Sequence, residues 1–83
     1  MNVVIKITAD YAENGADLHL VCRNITLQYP QLVLSVTKLE NEPETGLELE
    51  LQGECYGEMP AISVTVACNG TTLNNTRISI SEV

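Results

Sequence analysis

The chain has 83 residues, a formal charge of -7 and only four Lys or Arg. A chain this short builds one domain around one core, and so few cations exclude direct binding to nucleic acid, which needs clustered Lys and Arg against the phosphates. With no Trp, no Phe and three Tyr the core must be aliphatic, and no apolar run approaches the roughly 20 residues that cross a bilayer, so a soluble protein is expected.

Val3-Val4-Ile5-Lys6-Ile7-Thr8 predicts a first strand, with Val3, Ile5 and Ile7 on one side as a period of two requires. The next stretch supports two readings. Asn14-Gly15 is the dipeptide favoured by a type I′ hairpin loop, and pairing Glu13 with Ala16 sets Tyr11 opposite Leu18, Ala9 opposite Leu20 and Ile7 opposite Cys22. The spacing of Leu18, Val21, Cys22, Ile25 and Tyr29 equally fits a helix over about residues 16–29. The hairpin is preferred, with a bulge near residues 23 and 24 where the apolar positions change parity. Pro30 then belongs at a strand end or edge.

Leu32 to Thr37 and Leu47-Glu48-Leu49-Glu50-Leu51 alternate as strands and are expected to form a second hairpin. Leu39 to Gly46, polar and broken by Pro43, reads as the exposed loop between them, and residues 53–60 as a second irregular stretch. Ala61 to Cys68 alternates again. Asn69-Gly70 repeats the turn signal, and pairing Cys68 with Thr71 brings Val66 opposite Leu73; Ile78 and Ile80 then have the wrong parity, so Asn74-Asn75 must bend or bulge. The predicted fold is all-β: a small antiparallel sandwich or rolled meander of three hairpins in one domain, residues 1–83. The alternative is α+β with one helix at about residues 16–29.

The usual parts of catalysis are missing from the pattern. The five glycines never cluster into a phosphate-cradling loop, and one histidine cannot build a histidine-based metal triad. Cys22, Cys55 and Cys68 are odd in number and lack paired C-x-x-C spacing, so neither a disulfide framework nor a zinc site is indicated; free, mostly buried thiols are expected. His19 and Cys22 could act as base and nucleophile only if residues 18–22 are helical, since i and i+3 point apart in a strand. Glu40, Glu42 and Glu44 lack the spacing of an EF-hand loop. A non-enzymatic protein without cofactor or metal is therefore expected.

The sharpest functional feature is acidic. Glu40, Glu42, Glu44, Glu48, Glu50, Glu54 and Glu58 fall in a stretch from Leu39 to Thr76 that holds no Lys or Arg. In a strand Glu48 and Glu50 project from one face about 6.6–6.8 Å apart while the leucines between them anchor the other. These seven residues are the expected partner-binding set of an inhibitor or adaptor docking residues 40–58 on a basic, nucleic-acid-binding surface of another protein. Exposed outer strands also leave a homodimer by edge pairing open. Cytoplasmic location goes with this reading. Against it, Asn24-Ile25-Thr26, Asn69-Gly70-Thr71 and Asn74-Asn75-Thr76 each match the N-glycosylation acceptor, and the competing reading is an extracellular β-sandwich module for adhesion or receptor contact. The odd cysteine count and the lack of a Trp between Cys22 and Cys68 argue against an immunoglobulin-type domain.

Leu47 to Leu51 followed by Tyr56-Gly57-Glu58-Met59-Pro60-Ala61-Ile62-Ser63-Val64 resembles the sheet and Tyr-Pro-x-x-x-Pro turn of RWD domains, which are protein-interaction modules. The resemblance covers under a quarter of the chain. Gly57 stands in place of the first proline, Pro60 comes one residue early and no flanking helices are read, so the chain is not assigned to that family.

Overall fold

The computed structural model describes residues 1–13 and 18–83. In chain order they form β1 (Asn2–Ala9), α1 (Leu18–Gln28), β2 (Leu32–Glu42), β3 (Gly46–Cys55), α2 (Val64–Ala67) and β4 (Arg77–Glu82). The strands make one antiparallel sheet in the order β2-β3-β1-β4. The β-rich character is as expected, but a layer of two helices replaces the second sheet of a sandwich, and β2–β3 is the one hairpin among the described residues.

Alternation decides β1 and β3. Val3, Ile5 and Ile7 are buried and stand against Gly53, Leu51 and Leu49 of β3. On its other side β1 meets β4, with Ile5 opposite Ile80 and Ile7 opposite Ile78. Both edges of β1 are thus occupied, so the pairing expected between it and Leu18, Leu20 and Cys22 does not form; the turn itself, Asn14-Gly15, and the expected Glu13–Ala16 pair fall on or next to residues 14–17, which lie outside the described residues.

Residues 18–28 are helical instead. Val21 and Ile25, one turn apart, are fully buried, and Cys22 and Tyr29 pack beside them. Full burial of two such side chains contributes about 1.5–3 kcal/mol each, and it covers the apolar face that β1 and β3 present. Pro30 disfavours the helical conformation at Tyr29, and α1 ends at Gln28. No bulge at residues 23 and 24 is needed, because the apparent parity change is the helical period.

The strand expected over Ala61 to Cys68 is also replaced. Ser63 caps α2, its hydroxyl accepting from the Val66 amide at 3.4 Å, and only Ala67 of this short helix is buried. Two side chains of the α1 region fasten the segment. The Tyr29 hydroxyl donates to the Ala61 carbonyl at 3.3 Å and accepts from the Ser63 amide at 3.1 Å. Asn24 Nδ2 donates to the carbonyls of Ala67 and Asn69 at 3.0 and 2.8 Å, satisfying carbonyls at the helix exit.

Asn69-Gly70 does turn the chain, with the Thr71 amide donating to the Cys68 carbonyl at 2.9 Å. Only Gly70 has positive φ, at 87°, whereas a hairpin-forming type I′ turn requires it at both central residues. The turn therefore serves as a helix exit and leads into no hairpin. The bend expected at Asn74-Asn75 is present: Asn75 has φ 54°, and its Nδ2 donates to Asp10 Oδ2 at 2.7 Å while the Asn74 carbonyl accepts from the Asp10 amide at 2.9 Å.

Candidate protein-interaction surface

The β2–β3 hairpin places most of the predicted glutamates. β2 continues to Glu42, so the expected loop from Leu39 to Gly46 shrinks to a turn at Pro43, Glu44 and Thr45, and Glu40 and Glu42 become strand residues. An irregularity between Val36 and Lys38 shifts the register. Beyond it Lys38 stands opposite Glu50, Glu40 opposite Glu48, and Glu42 opposite Gly46. Leu47, Leu49 and Leu51 are buried, so the alternate residues of β3, with their cross-strand neighbours, lie on the outer face away from the helices.

That outer face carries Glu40, Glu42, Glu48, Glu50 and Glu54. It also carries Lys6, Lys38 and Arg77, three of the four cations in the chain. One row across the sheet reads Ser79, Lys6, Glu50, Lys38; the next reads Arg77, Thr8, Glu48, Glu40. Glu50 is thus flanked by ammonium groups. Glu40 and Glu48 form a directly opposed like-charge pair, which is unfavourable by itself, and Lys38 relieves it with Nζ 3.1 Å from Glu48 Oε2 and 3.9 Å from Glu40 Oε2. The hydrogen bond to Glu48, then the charges of Glu40 and Glu48, hold the Lys38 pKa above the ordinary lysine value. A cation in the register position thus compensates much of the expected carboxylate row.

Glu54, at the edge of that face, and the two remaining glutamates mark the two ends of the hairpin. Glu54 is beside Tyr56, whose phenol is pushed up first by a hydrogen bond to that carboxylate and then by its charge. Glu58 is exposed in the loop after β3, where its carbonyl takes Gln31 Nε2 at 3.4 Å. Glu44 is at the opposite end, on the turn. The structure therefore does not gather all seven into one site.

It brings together instead a set that spacing along the chain does not show. Asn41 Oδ1 accepts from the Ala12 amide at 3.0 Å and Asn41 Nδ2 donates to the Ala12 carbonyl at 2.9 Å. This two-way clamp ties the segment after β1 to the hairpin. A groove results, lined by Asp10, Tyr11 and Glu13 from one side and by Pro43, Glu44 and Thr45 from the other. Among the described residues that line it there is no Lys or Arg. A signal for Asn41 does exist in the sequence: if β2 is run on past Leu39, Asn41 falls on the inward parity opposite Leu47, and a polar residue there needs a partner.

The other candidates take definite places. α1 sets His19 and Cys22 one turn apart, so the geometry that the strand reading denied them is present. His19 is exposed and Cys22 half-buried, and burial pushes the Cys22 thiol up, the reverse of what activates a nucleophile. All three cysteines are free, Cys55 being buried. Among the described residues no group of three or more His, Cys, Asp or Glu is placed to hold a metal ion, and no described helix is long and apolar enough to cross a membrane. Of the three glycosylation matches, Asn24 has its amide nitrogen engaged by two carbonyls, the atom a glycan would occupy, while Asn69 and Asn74 are exposed.

No family model, no curated protein and no solved structure matches this chain.

Proposed function

We propose that the protein is a non-enzymatic interaction module that docks on a basic surface of a partner protein, such as one that otherwise binds nucleic acid, and that it does so through the acidic end of its β2–β3 hairpin. The observation that carries this reading is the Asn41–Ala12 clamp, which brings Asp10 and Glu13 up to Glu44 across a groove whose described lining has no cation, with Glu42 next to it at the end of β2. Uncompensated carboxylates create the longer-ranged field and so steer a basic partner. Glu48 and Glu50 contribute less in this reading, since Lys6 and Lys38 stand next to them.

Capture from a cell extract at low and high salt tests it. A basic protein is expected at low salt and lost at high salt; Glu42→Gln with Glu44→Gln should abolish capture, while Glu48→Gln with Glu50→Gln should weaken it less. Salt-insensitive capture, or equal effects of the two pairs, would overturn the assignment.

A further inference from the structure

Each edge of the sheet exposes backbone groups, and the hydrogen-bond pattern says which. The Val83 amide donates to the Asn2 carbonyl at 2.9 Å, so, with the register of β1 and β4, Ser81, Ser79 and Arg77 turn their N–H and C=O toward β1. The alternate residues Ile78, Ile80 and Glu82 turn theirs outward. No described strand lies beyond β4.

The two edges are guarded differently. β2 is interrupted between Val36 and Lys38 and carries Lys38, Glu40 and Glu42, the devices by which edge strands refuse a neighbour. β4 pairs with β1 without a register shift over six residues, contains neither Pro nor Lys, and has its two charges, Arg77 and Glu82, at its ends, clear of its centre. Ile78 and Ile80 are only half-buried on its helix-facing side.

We infer that β4 is an association edge and that its occupant is β4 of a second copy, antiparallel, with Ile78 of one copy opposite Ile80 of the other and Ser79 opposite Ser79 on the two-fold axis. This register satisfies the outward groups of Ile78 and Ile80 in both copies. It forms two β-branched cross-strand pairs on one face, sets Arg77 opposite Ser81 on the other, and places no like charges directly opposite. Such a contact is isologous and closes at two copies, joining two sheets of four strands into one of eight. A β2-to-β4 contact would leave further edges open and would have to accommodate the β2 irregularity. The inference is independent of the acidic end: salt should weaken capture of a basic partner, whereas it should strengthen association of two copies that each carry -7.

Sedimentation equilibrium of the full chain over a concentration series, at two salt concentrations, reads the association directly. A monomer–dimer equilibrium that tightens with salt is expected. Ser79→Glu faces Lys6 within its own sheet and should leave the unfolding transition in place, but it sets two carboxylates opposite each other across the axis and should return the protein to monomer. Ser79→Cys tests the register itself. Opposed non-hydrogen-bonded positions bring Cα atoms to about 4.5 Å, within reach of a disulfide, so this variant should cross-link with diamide at least tenfold faster than Ser81→Cys, whose two copies are about 13 Å apart in the same register. A chain that stays monomeric throughout, whether or not another protein's strand then occupies β4, overturns the inference. So does a dimer that Ser79→Glu leaves intact, or equal cross-linking at the two positions.

Discussion

The outer face of β3 and the tip of the hairpin it belongs to carry the same side chain in opposite surroundings. On the face, Glu48 and Glu50 are half-exposed; Glu50 lies in a row between Lys6 and Lys38, and Glu48 takes the Lys38 ammonium from the next row. At the tip, Glu44 shares a groove with Asp10 and Glu13 and with no described cation. Counting glutamates along the chain makes the two regions look like one. The difference teaches that a surface field depends on which strands become neighbours: Lys38 is ten residues from Glu48 in sequence and 3.1 Å from it in space.

The most severe way to break the comparison is to move the hairpin that holds both regions. A Cβ on Gly53 would lie 1.9 Å from the Val33 carbonyl oxygen, a backbone atom that cannot swing aside. Gly53→Ala should therefore cost about 3 kcal/mol, seen as a lowered urea midpoint, because β2 and β3 must separate or shift register.

A smaller change should dissolve the tip and spare the face. Asn41→Ala removes both hydrogen bonds to Ala12, and the expected loss is about 1–2 kcal/mol. Amide exchange should accelerate at Ala12 and stay unchanged in the Lys38 to Glu50 rows, and, on the proposed function, capture of a basic protein should fall with the wild-type Glu44 still in place.

The smallest effect should make the face resemble the tip. Lys38→Gln leaves Glu40 and Glu48 opposed without their shared cation, so stability should fall modestly at low salt and recover at high salt. The pH dependence follows from the direction of the shift. The Lys38 pKa is raised in the folded state, so its contribution is complete below the unfolded value, about 10.4, and is lost as pH rises through the higher folded value. Tyr56, also raised, contributes with the same sign. Alkaline titration of stability should decline above about pH 10, and the decline should be shallower in Lys38→Gln than in the wild type.

Much of the sheet was legible because an alternating strand declares its own inside and outside. Alternation points Val3, Ile5 and Ile7, and Leu47, Leu49 and Leu51, inward, and all are buried. The helix was legible only as an alternative, since Leu18, Leu20 and Cys22 satisfy a period of two while Leu18, Val21, Cys22 and Ile25 satisfy 3.6. Val64 and Val66 misled in the same manner: four residues are too few for either period to prevail, and the Ser63 cap settled α2. The acidic groove was hidden more deeply, because its clamp joins Asn41 to Ala12 across 29 residues.

The sequence by itself determined the aliphatic core, the central parts of three strands at 3–8, 32–37 and 47–51, and the acidity of the middle segment, since each is written in neighbouring residues; the far half of β2 and the end of β3 read as loop. Only the tertiary structure decided that residues 18–28 coil, that β1 sits between β3 and β4, and which glutamates acquire a cation. The physical reason is common to all three. β1 has two edges and one apolar face, and which segments fill them depends on competition among distant parts of the chain; once β3 and β4 take the edges, residues 18–28 serve the sheet best by covering that face as a helix.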